Sequence, residues 1–158
     1  EKAQTLVIAN LIRPRLEALG ATVLMTRTDD ADLLPQDRVN LINDLEPTIA
    51  LSLHYNALPD EGNAETTAGI STFWYNAQAH DLAQMIHDQL VQRLDRPSYG
   101  VYWNNLALTR PTVAPSVLVE FGFMINPEEF EWIVNPQQQE QLADAFVQSL
   151  VDWRRSIE

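Results

Sequence analysis

Two strand-like segments each run into a side chain that can move a proton or hold a metal. "IALSLH" starts at Ile49 and stops on the imidazole of His54, and "SVLVEFGF" carries the carboxylate of Glu120 inside an apolar run. A lone ionised carboxylate among apolar neighbours is strongly disfavoured unless something compensates it. In open α/β sheets ligands sit outside the carboxyl ends of the strands, so both side chains are predicted to face one crevice. An imidazole and a carboxylate there suit either a metal with an activated water or a plain acid–base pair. Two structural readings compete: His54 as a hydrogen-bonded rim residue, and Glu120 in an ion pair with an arginine such as Arg110.

The other candidates are weaker. His80 and His87 are seven positions apart on a helical pattern, roughly 10 Å along the axis and too far to share one metal directly. They flank the apolar stripe and are predicted to lie on the surface. Ser52 and Ser116 lack a Gly-x-Ser-x-Gly context. No His-Glu-x-x-His helix and no phosphate-binding glycine loop occurs. "DDADL" at Asp29–Leu33 reads as a solvated turn, with calcium binding as the alternative. Trp74, Tyr102 and Trp103 are expected in packing, with stacking on a sugar as the alternative.

Elements must exist to carry these residues, and the composition allows them. The chain has 158 residues, 46% of them hydrophobic, with a formal net charge of -12 and no cysteine. That is one domain with a real core. The negative charge repels nucleic-acid phosphates, and no apolar run reaches membrane-spanning length. The lack of cysteine removes thiolate zinc sites, thiol nucleophiles and disulfides together. No signal peptide is read at the start. "EKAQTLVIANLI" enters an apolar pattern at once, as expected of a chain cut from something longer.

Ile8, Leu11, Ile12, Leu16 and Leu19 recur at helical spacing up to Gly20, with a bend expected near Asn10 to Pro14. Thr22 to Thr26 reads as a strand, Pro35 to Leu45 as a helix opened by its proline, and Ile49 to Leu53 as a strand ending at His54. A polar loop from Tyr55 to Gly69 follows, then a strand from Ile70 to Tyr75. Leu82, Ile86, Leu90 and Leu94 step by four and predict a helix from about Ala79. Arg96 to Asn105 reads as irregular and Leu106 to Thr109 as a short strand before the one that ends at Glu120. Glu128 to Val134 predicts a short helix, and Leu142, Ala145, Phe146, Leu150 and Trp153 give the last helix one apolar face. Strands alternating with helices predict an α/β fold: a single domain with a mostly parallel, twisted sheet and helices on both faces.

In combination these segments are familiar. "EKAQTL" at Glu1–Leu6, "LEALGATVLMTRTDD" at Leu16–Asp30, "DRVNLIN" at Asp37–Asn43, "LSLHYNA" at Leu51–Ala57 and "APSVLVEFGFMINPEE" at Ala114–Glu129 run nearly end to end. In this order they resemble the zinc-dependent N-acetylmuramoyl-L-alanine amidases of the amidase-3 class, which include the AmiC-like cell-wall hydrolases. The resemblance implies zinc (Zn2+) held by two histidines and one glutamate. It maps the glutamate to Glu1, the second histidine to His54 and the catalytic glutamate to Glu120. Tyr55 stands where an alanine is common, and Asn126 keeps the asparagine of the last motif. The family's first histidine lies upstream of the glutamate, in a His-x-Gly-x-Asp segment at the end of the first strand. On this mapping residues 1–158 are an amidase-3 catalytic domain truncated at the amino end, without that strand and ligand.

The implied reaction is hydrolysis of the amide between N-acetylmuramic acid and the L-alanine of the stem peptide by zinc-activated water. The implied partner is peptidoglycan, the implied setting periplasmic or extracellular, and the expected state a monomer. The alternative is a non-catalytic wall-binding module or an inactive fragment of the same fold. Arg27 and Arg38 are read as structural. The loop from Tyr55 to Gly69 has little room for a long inhibitory helix, so an open groove is expected.

Overall fold

The structure is a computed structural model and describes residues 1–158. In chain order the elements are α1 (Lys2–Ala18), α2 (Pro35–Leu45), β1 (Ala50–Asn56), β2 (Ile70–Trp74), α3 (His80–Leu94), β3 (Ser98–Trp103), β4 (Ser116–Phe123), α4 (Pro127–Val134) and α5 (Pro136–Ile157). Prolines open α2, α4 and α5, where a missing N–H costs nothing because the first turn has no intrahelical acceptor. Asn126 and Asn135 cap α4 and α5 by accepting backbone N–H bonds on their side-chain oxygens.

The four strands form one sheet in the order β1-β4-β2-β3. β1 runs parallel to β4 and β2 parallel to β3, while β2 and β4 are antiparallel. The predicted single α/β domain with a mostly parallel sheet is therefore present, with one reversal of direction in the middle. Side chains alternate between faces. Val117, Val119 and Phe121 of β4 join Tyr55 and Ile70 on the face covered by α1, α3 and α5, in one core with Ile8, Leu82, Ile86, Leu90, Leu142 and Phe146. Phe121 and Phe146 meet edge to face with centroids 5.8 Å apart, an arrangement that adds to their area burial. α2 buries no residue.

The opposite face carries the polar residues. His54 pairs in register with Glu120, Glu120 with Ser71, and Ser71 with Gly100. These four positions form a single row across all four strands. Gly100 has φ of +138°, and a Cβ there would lie 2.9 Å from the Tyr102 ring. Only glycine lets that ring fold back over its own strand.

Several expectations are corrected. Thr22 to Thr26 forms no strand, although its residues favour one, because no other strand of the chain runs beside it to complete a ladder. Leu106 to Thr109 is a turn, closed by the Thr109 hydroxyl on the carbonyls of Asn104 and Leu106. The stretch read as irregular between Arg96 and Asn105 contains β3. That strand pairs on one side only, so it lacks the continuous apolar run of a central strand. In the Asp29–Leu33 turn, Asp30 and Asp32 both pair with Lys2.

Candidate active site

Glu1 precedes α1, and its carbonyl accepts the first intrahelical bond from the N–H of Thr5 at 3.0 Å. Its side chain reaches the end of β1, where Oε1 lies 2.8 Å from His54 Nδ1. Both side chains are partly open to solvent, 45% for Glu1 and 34% for His54. The hydrogen bond from His54 holds the Glu1 carboxyl below its ordinary range, against an opposing push from burial. One carboxylate oxygen and one imidazole nitrogen, side by side and accessible, are the donor types that zinc takes. No third histidine, cysteine, aspartate or glutamate joins them closely enough to complete a metal cluster.

Glu120 lies one strand further in, beside His54 in the row. Burial pushes its carboxyl up to about 7, the His54 charge pulls it down, and the Glu1 charge pushes it up again. The three predicted site residues are thus brought together and sense one another's charge. Glu120 Oε2 is buried and has no hydrogen-bond partner. The expected alternative partner, Arg110, instead donates to Asn105 Oδ1 at 2.8 Å. A carboxyl that takes up and gives back a proton near neutral pH, next to two potential metal donors, can serve as a general base.

Chain segments around the row are tied down by a residue whose role was not read from the sequence. Glu129 is 2% exposed. Its carboxylate accepts from the N–H of Gly69 at 3.0 Å and of Phe123 at 2.6 Å, and pairs with Arg96 Nη2 at 2.7 Å. The Arg96 guanidinium also lies over the Trp132 ring. One buried carboxylate therefore fixes the entry to β2, the exit of β4 and the segment before β3. Gly122 leaves room for it, since a Cβ there would stand 3.0 Å from Glu129 Oε2. The available signal was Asn126-x-x-Glu129 opening a helix, which reads as an exposed first-turn acid. Asn126 adds a tie to the loop by donating to the carbonyls of Glu65 and Thr67.

The remaining candidates lie elsewhere. His80 bonds Asp81 and meets Trp74 edge to face. His87 is not the surface residue expected: it is 6% exposed, with Nε2 on Ser98 Oγ at 2.9 Å and Nδ1 on Asp88 at 3.0 Å. It sits four residues after Ala83, at the margin of the buried stripe, and the unforeseen strand β3 closes over it. Arg27 and Arg38 are structural. They hold the carbonyls of Lys2 and Asp29 and the hydroxyl of Thr26. Ser116 Oγ is spent on the Ala114 carbonyl. Trp103 is 62% exposed and stacks on Tyr75, while Tyr102 stacks on Phe73.

A small α/β domain whose sheet brings a histidine and two glutamates together near the carboxyl ends of two parallel strands is what fold and site define. Residues 1–152 match the amidase-3 family, described as N-acetylmuramoyl-L-alanine amidase, and the chain belongs to that family. It is 30% identical to the germination-specific N-acetylmuramoyl-L-alanine amidase of Bacillus subtilis, over 96% of this chain and 69% of that protein. It is 31% identical to the probable cell wall amidase LytH of Staphylococcus aureus, over 95% of this chain and 48% of that protein. The chain thus spans only about half the length of the second relative. The crystal structure of an N-acetylmuramoyl-L-alanine amidase from Clostridium difficile 630 superposes with a TM-score of 0.91 at 31% identity, covering 99% of this chain and 84% of that one.

Proposed function

We propose that this domain hydrolyses the amide between N-acetylmuramic acid and the L-alanine of the peptidoglycan stem peptide, with Glu120 as general base and zinc held by Glu1 and His54. The observation that carries the reading is the meeting of Glu1, His54 and Glu120 at one sheet end, with Glu120 Oε2 buried and unpartnered and the carboxyl pushed up to about 7. When bound, zinc would lower the pKa of a water and polarise the scissile carbonyl. Glu120 would take the proton of the attacking water on its carboxylate and return it to the departing amine of alanine. Glu1 Oε1 and His54 Nδ1 stand side by side, as two ligands of one ion would, and Glu129 keeps the β4 exit in place around the reacting groups.

Two protein ligands leave a zinc site incomplete. The third would come from a strand preceding Glu1, carrying the His-x-Gly-x-Asp segment of the family pattern. Support comes from the sheet itself: β1 is an edge strand with one free side, and Thr22 to Thr26 has strand character without a neighbour. The periplasm or the cell wall is the setting such a substrate demands. The second reading, an inert or purely wall-binding domain, rests on the lack of a third donor among these residues.

Zinc content and release of peptides from purified peptidoglycan decide between them, measured on this chain and on one extended at its amino end. Glu120→Gln is expected to keep the zinc and lose roughly 10²–10⁴-fold in rate, the usual contribution of a general base. Turnover retained by that variant would remove Glu120 from the mechanism.

A further inference from the structure

Two buried oxygens without partners sit side by side in the row across the sheet. Ser71 and Glu120 are direct partners in the antiparallel β2–β4 pair, so their side chains leave the same face from neighbouring positions. Ser71 is fully buried. Its Oγ and Glu120 Oε2 are both without a hydrogen-bond partner. Unpartnered buried polar atoms are uncommon, and each calls for an explanation.

The chemistry of the pair is complementary, since an ionised carboxylate only accepts and a hydroxyl can donate. Neighbouring hydroxyls and one imidazole nitrogen are already engaged. His54 Nδ1 is engaged by Glu1, Ser116 Oγ by Ala114, and Thr72 Oγ1 by the Ala83 carbonyl on the far face. The next residue in the row, Gly100, has no side chain to offer. A step between staggered rotamers is all that a serine needs to redirect its hydroxyl.

We propose that the Ser71 hydroxyl donates to the Glu120 carboxylate and fixes its orientation, so that one oxygen is held by the sheet and the other is left to accept the proton of the attacking water. Ser71 is then a positioning residue, and its catalytic consequence rests on the amidase reading above. No such role would be suspected from sequence, where Ser71 is one hydroxyl in a run of apolar and β-branched residues. Alanine removes the donor, whereas threonine keeps it in a slightly larger side chain.

The test has two arms on the full chain. The first follows urea unfolding of wild type, Ser71→Ala, Glu120→Ala and the double variant at pH 8. The midpoint shifts are expected to be non-additive by about 0.5 M, the size of one hydrogen bond at an ordinary denaturant slope. The second measures peptide release, where Ser71→Ala is expected to lower kcat about tenfold with KM and zinc content unchanged, and Ser71→Thr to restore it. Additive midpoints overturn the contact, and an unchanged kcat in Ser71→Ala overturns the positioning role. If neither this chain nor one extended at its amino end releases peptide, the amidase reading fails and takes that role with it, while the unfolding cycle still decides whether the two side chains bond.

Discussion

Without metal, the fold should be weakened by the desolvated carboxylate of Glu120. The Glu120 carboxyl titrates at an ordinary 4.5 when unconstrained and at about 7 in the folded chain. Each tenfold difference is worth about 1.36 kcal/mol, so ionising Glu120 in the fold costs on the order of 3 kcal/mol. The folded state is the one that holds the proton more tightly. Below pH 4.5 the group is neutral in both states and costs nothing. Stability then falls as pH rises from about 4.5, and the full cost is present above about 7. Glu120→Gln cannot ionise and should escape this. With chelator present, urea unfolding of the two proteins from pH 4 to pH 8 should give coincident midpoints at the acid end. At pH 8 the variant should be the more stable by about 1–2 M urea, taking a slope near 2 kcal/mol/M. Parallel pH profiles for the two proteins would mean that Glu120 is not desolvated as described, and the proposed base would lose its physical ground.

Glu129→Ala should be among the most damaging single changes. It strands Arg96 and leaves the N–H groups of Gly69 and Phe123 without acceptors, a loss of about 3–5 kcal/mol expected for half of a buried ion pair and readable by thermal or urea unfolding. Zinc added to the wild-type chain should raise its thermal midpoint in proportion to the logarithm of the excess ion. His54→Ala should abolish that rise, and a midpoint equally zinc-sensitive in the variant would place the ion elsewhere.

His54 and Glu120 were legible because a polar residue in an apolar strand makes an exception visible, although both strands run two or three residues past them, and Glu1 was reached only through the family resemblance. The helices were legible through their period, as in Leu82, Ile86 and Leu90. The losses share a cause. Thr22 to Thr26 has strand propensity, but a strand exists only through its neighbour, and propensity says nothing about neighbours. β3 failed in the other direction: Ser98 to Trp103 begins after a proline and shifts register before Gly100, yet pairing with β2 makes it a strand. His87 was assigned to the surface from its helical position and Glu129 was not singled out, and both are buried by segments distant in sequence. Ser71 carries no sequence signal at all, because its interest lies wholly in what stands across from it.

The reversal between β2 and β4 has a further result. β1 finishes and β2 begins at the same end of the sheet, on either side of β4. The connection from Ala57 to Gly69 must therefore cross the end of β4, anchored at its far end by Asn126 and Glu129. Residues can be added to or removed from that connection without altering any strand register, so access to the reactive groups can be retuned while the machinery beneath stays as it is.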